Sequence, residues 1–139
     1  MKLILATIIG GIVLFLLGGL FYALIFKDFF ATQYAGISRP GEPLMWAIAL
    51  GCLTQAFFMS LMYPKGYQGG SPAKEGFMFG LYVGLLVGVP YFFFGTAMMN
   101  ATKRAIATDA AITCVMTIIA GIVIAMVYGR KSAGASTTP

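Results

Sequence analysis

Histidine is absent from this chain of 139 residues. Its absence removes the commonest metal ligand and the usual general base near neutral pH, and with them His-ligated haem. Charge is also scarce. Only 9% of the residues are Asp, Glu, Lys or Arg, whereas a soluble domain carries roughly a quarter. With 60% of residues hydrophobic, that deficit argues against a water-soluble fold. Cysteine is limited to Cys52 and Cys114, both inside apolar stretches, and no CxxC occurs. Neither a zinc site nor a redox motif is suggested, and both cysteines read as small packing residues. The chain has no phosphate-cradling glycine loop, no paired carboxylates and no His/Cys cluster, and Ser60 and the threonines lack a neighbouring base in sequence. The reading is a non-enzymatic protein with no catalytic residues and no metal.

The chain is instead rich in long apolar runs. A spanning helix needs ~20 such residues, and four stretches qualify: 3–26, 44–63, 76–99 and 105–128. The sequence therefore predicts an all-α, polytopic membrane protein. Residues 1–131 form a single four-helix domain, and 132–139 a polar C-terminal tail. Lys2 resembles the charged start of a signal peptide, but the apolar run behind it is too long and no A-x-A site follows, so it reads as a retained span. Pro43 and Pro64 bracket the second span and are expected to limit it. Residues 100–104 are a short connection, which predicts that the third and fourth spans form an antiparallel hairpin.

The formal charge is +5, from bases standing singly or in pairs near the ends of apolar runs. That is the pattern of membrane-flanking anchors, not of a nucleic-acid surface. Four spans place both termini on one side, with Lys2, Lys65, Lys74, Arg130 and Lys131. Lys27, Arg39, Lys103 and Arg104 lie on the other. The balance favours cytoplasmic termini, in a membrane of the bacterial inner type.

The most informative pattern is Gly76, Gly80, Gly84 and Gly88, four residues apart in GFMFGLYVGLLVG. On a helix they share one row. In a bilayer a row without side chains lets another backbone approach, because lipid gives helices no hydrophobic reason to associate and close packing must supply one. The fourth span repeats the period with Ala105, Asp109, Thr113, Thr117, Gly121 and Ala125. Folded as a hairpin, Gly80 is expected opposite Gly121–Ala125, and Gly88 opposite Thr113–Thr117. A homodimer is the competing use of the same row. Gly11 and Gly18 offer the first span a packing face, toward the third span or toward Ala47 and Gly51 of the second. Pro90 is expected to interrupt and kink the third span. Beyond it, Tyr91 to Phe94 read as interface anchors, with a slot for a pigment or quinone as the sharper reading.

Polar residues at depth are few. Gln55 sits midway along the second span, level with Thr117, which suggests an interhelical hydrogen bond. Asp109 is the only acid inside a span, about one turn from its expected start. There the helix dipole, Lys103 and Arg104 can hold it; the sharper reading is a proton or cation site shared with Asn100 and Thr113. In the first loop, Phe29, Phe30 and Tyr34 lie at near-helical spacing. They read as a short helix in the headgroup layer, or as a docking surface for a partner.

The FLLGGLFYALIF segment with Gly18, Gly19 and Tyr22, the glycine-rich third span and the small-residue fourth resemble uncharacterised four-span bacterial membrane proteins. The resemblance implies four spans and no particular activity. The expected function is an accessory or structural subunit that packs against other integral membrane proteins in the lipid bilayer. A small homo-oligomeric carrier or channel is the alternative. Binding of a lipid, carotenoid or quinone is the third reading, with no dedicated cofactor.

Overall fold

The computed structural model describes residues 1–38 and 40–129. α1 covers Lys2–Gly18 and passes directly into a π-helical stretch, Gly19–Ile25. α2 is Lys27–Gln33, α3 Met45–Gly66, α4 Pro72–Met98 and α5 Lys103–Gly129. Four helices, Lys2–Ile25, Met45–Gly66, Pro72–Met98 and Lys103–Gly129, are long and apolar enough to cross a membrane. Arg39, Arg130, Lys131 and the expected tail 132–139 lie outside the described residues.

The helix limits depart from expectation where a cap or a distant donor intervenes. α4 starts about a turn early because Ser71 takes the cap position and Pro72 the first turn, where a missing N–H costs nothing. α5 starts at Lys103 because the Thr102 hydroxyl accepts the Ala105 N–H at 3.2 Å. Pro64 does not end the second span, since α3 continues to Gly66. Proline cannot donate to the Ser60 carbonyl four residues back. The Tyr128 phenol donates to that carbonyl instead, at 2.7 Å. α4 likewise runs without interruption through Pro90.

α1 packs on α3 and on α5, and α5 packs along α4, whereas α3 and α4 barely meet. Ala6, Leu14, Ala56, Met59 and Ile124 are buried where α1, α3 and α5 converge. Trp46, Leu86 and Phe93 are among the large side chains left on the outside, as the apolar solvent of a bilayer permits.

Gly76, Gly80, Gly84 and Gly88 are all buried, and all four lie along α5. A Cβ at Gly76 would stand 2.6 Å from the Gly121 carbonyl oxygen and 2.8 Å from the Ala125 Cβ. One at Gly80 would meet the Thr117 carbonyl. One at Gly84 would lie 2.6 Å from the Thr117 hydroxyl, and one at Gly88 3.1 Å from the Ala110 carbonyl. Gly80 thus faces Thr117 and also Gly121, where a Cβ would stand 2.9 Å from the Gly80 Cα, and Gly88 faces Ala110 and also Cys114, which lies within the expected 113–117 region. The contacts overlap the expected pairings and are centred within about one turn of them. Nearer the connecting loop Gly95 packs on Ile106. Between that contact and the Gly76–Gly121 contact α4 advances about a turn further than α5. Pro90, with no N–H to close the ladder, lies in that stretch.

On α1, Gly10 meets Ile124 and Ala56, Gly11 meets Leu53, and Gly18 approaches only Met116, at 3.6 Å. The first span therefore sits on the second and fourth. The expected seam through Ala47 and Gly51 does not form: Ala47 is exposed, and nothing lies within 4 Å of a Cβ at Gly51.

Candidate functional site: a carboxylate held by three phenols

Because α5 begins at Lys103, Asp109 stands nearly two turns inside the helix rather than one. Its carboxylate receives three phenolic O–H groups. Tyr22 donates closely to Oδ1. Tyr91 donates to Oδ2 at 2.8 Å, and Tyr34 donates to the same oxygen at 3.3 Å. An ionised carboxylate is acceptor-only and has room for all three. The donors come from the π-helical stretch, from the end of α2 and from α4, so one side chain joins four parts of the fold.

Local sequence explains how the phenols arrive. In the π-helical stretch the Phe26 N–H donates to the Phe21 carbonyl at 2.8 Å, a wider turn than the α-helical one. Such turns shift the facing of side chains and recur at functional sites, and Tyr22 lies inside this one. The chain then turns at Phe26 into α2. Phe30, only 7% exposed, lies between the rings of Tyr22 and Tyr34, with centroids at 5.1 and 5.4 Å. The Thr102 hydroxyl donates to the Gln33 side-chain oxygen at 2.6 Å, tying α2 to the loop before α5. α2 therefore folds across the Asp109 end of the bundle. Burial pushes the Tyr34 phenol above its ordinary range. The Asp109 charge adds to the rise.

The residues singled out from sequence scatter around this site. The Thr113 hydroxyl donates to the Asp109 backbone carbonyl at 3.0 Å, not to the carboxylate. Asn100 is exposed in the loop and is not a partner. Gln55 is half-buried and makes no bond to Thr117, whose hydroxyl turns back to the carbonyls of Thr113 and Cys114. Asp109, Gln55 and Asn100 are thus not brought together. Phe30 and Tyr34 face inward to the cluster, and Phe29, half-buried, packs edge-on against Phe30 at 5.3 Å. That placement leaves little of the trio as a free docking surface. The run Tyr91–Phe94 also divides. Tyr91 turns to Asp109, Phe92 borders a groove of about 230 Å³ with Gly88 and Cys114, and Phe93 and Phe94 face outward.

Sequence reading missed the pairing of Tyr22, Tyr34 and Tyr91 with Asp109. The usable signal was depth. Tyr22 and Tyr91 lie toward the same end of their spans as Asp109, and a carboxylate there requires donors. Among the described residues no three His, Cys, Asp or Glu side chains gather as a metal site. The arrangement can hold a charge, hold a proton and lock helices. Comparisons with protein families, with curated proteins and with solved structures give no match.

Proposed function

We propose that the protein is a non-enzymatic integral membrane protein, an accessory or structural subunit that packs against other membrane helices. One observation carries this reading: the polar and side-chain-free features that could serve transport or self-association are engaged within the chain. Asp109 is held by three phenols, and the four-glycine row lies against α5. In this reading the third and fourth spans act as a rigid antiparallel hairpin joined by a glycine zipper, and the outer faces remain for neighbours and lipid. The membrane is of the bacterial inner type with both termini cytoplasmic, a placement supported by the flanking Lys and Arg. Purification from native membranes followed by mass spectrometry tests the proposal. Reproducible co-purification with other integral membrane proteins is expected, and a homogeneous single species would count against it.

A small carrier is the second reading. It is favoured by the position of Asp109, since an intramembrane carboxylate is by default a candidate ion or proton site. On that reading liposomes holding only this protein show a pH-dependent flux, which Asp109→Asn abolishes while the fold persists. Equal flux with the variant would end it.

A further inference from the structure

At the opposite end of the bundle from Asp109, four helix ends converge: the start of α1, the end of α3, the start of α4 and the end of α5. They enclose a cavity of about 340 Å³ lined by Lys2, Tyr63, Pro64, Tyr67, Pro72 and Tyr128, with Gly129. No acid is in this lining. Tyr63 also borders a second cavity of about 430 Å³ that holds Lys74 and Glu75. The Glu75 carboxylate is engaged, accepting the Gly70 N–H at 3.1 Å.

Two groups in the first cavity have donors to spare. Lys2 uses one N–H on the Tyr128 carbonyl, at 2.9 Å, and an ammonium carries three. Tyr63 is 4% exposed, its ring set against Tyr128 at 5.6 Å and Phe79 at 5.5 Å. Among the described residues its hydroxyl has no hydrogen-bond partner. The fully enclosed side-chain oxygens without a partner among those residues are Thr7 Oγ1 and Ser60 Oγ; the Tyr63 hydroxyl is not one of them and stays accessible to a ligand. Tyr63 lines both this cavity and the one that holds Lys74 and Glu75.

We infer that this cavity binds the phosphate of an anionic phospholipid headgroup. Spans begin and end here, so the site lies at the depth of lipid phosphates. Basic pockets between membrane helices suit such headgroups. The phosphate oxygens accept from Lys2 and Tyr63, while the rings of Tyr67 and Tyr128 and the two prolines pack against the apolar glycerol region. A free oxyanion shares the phosphate chemistry but not the apolar contact.

The test uses the full chain purified in detergent and delipidated. Its thermal stability is followed while phosphatidylglycerol, phosphatidylcholine or inorganic phosphate is added. A saturable rise with phosphatidylglycerol is expected, with little response to the other two. Lys2→Gln and Tyr63→Phe should each weaken the apparent phosphatidylglycerol affinity about tenfold, as expected for losing one charge-assisted hydrogen bond. Lys103→Gln, at the far end, should leave it unchanged. Equal responses to both lipids, or an unaltered response in Lys2→Gln and Tyr63→Phe, would overturn the proposal. A full response to inorganic phosphate alone would overturn the lipid assignment. Neither outcome bears on the accessory-subunit reading, which rests on partners and not on this cavity.

Discussion

The Asp109 carboxylate sits among helices and must be satisfied by them. Three phenols do so, and each is removable by one oxygen. Tyr91→Phe deletes a bond of 2.8 Å to a charged acceptor, for which about 1.5–3 kcal/mol is typical. A clear drop in melting temperature in detergent is expected; an unchanged value would mean that the phenol is idle. Tyr34 adds a pH dependence. Its pKa is raised in the folded state, first of all by burial. The folded chain therefore holds that proton more tightly than the unfolded chain. The stabilisation is complete below the ordinary tyrosine value of about 10 and is lost as pH rises above it. Melting temperature should fall with pH across that window, and Tyr34→Phe should flatten part of the slope. An equal slope in the variant would contradict the assignment. The acid itself was legible in the sequence, since it is alone in a span. Its partners were not, because they come from segments far apart in the chain and one of them is aimed by a π-helical turn that no residue pattern announced.

At the scale of elements, α4 and α5 are joined by bare backbone. Gly84→Leu would force a branched side chain into space where a Cβ alone already lies 2.6 Å from the Thr117 hydroxyl and 2.7 Å from Cys114 Cα. Overpacking of this kind costs about 1–3 kcal/mol or more. Gly51→Leu is the matched control, because nothing lies within 4 Å of that position. The first variant should lose thermal stability and the second should not; equal behaviour would remove the packing role of the row. The spacing of the glycines was readable from the sequence because four-residue steps keep one face of a helix. The register was legible only to within about a turn, because small residues recur every four positions along both helices and neighbouring offsets also match. The second span shows the same limit. Pro64 looked like a stop, yet Tyr128 of another helix supplies the donor for the Ser60 carbonyl, and a sequence window cannot contain that bond.

The whole molecule is a chain of contacts, α3 to α1 to α5 to α4, closed at one end by α2 over Asp109 and at the other by Lys2, Tyr63 and Tyr128. Four apolar runs were enough to foresee four long helices, since length and composition alone set that requirement. The third and fourth spans were expected to meet because their connection is short, and α4 packs along α5. The neighbours of the first span were not foreseeable, because small residues occur on all four spans and only shape complementarity selects among them. The central claim is that the glycine row of α4 is matched to α5 of the same chain. Gly88→Cys, in a Cys52→Ser background, tests it in native membranes. A Cβ at position 88 lies 3.4 Å from the Cys114 sulfur, close enough for a disulfide after small adjustment. Oxidation should link residues 88 and 114 within one polypeptide, seen as a joined peptide pair with no dimer on a non-reducing gel. A disulfide-linked dimer, or two thiols that stay free under oxidation, would contradict it.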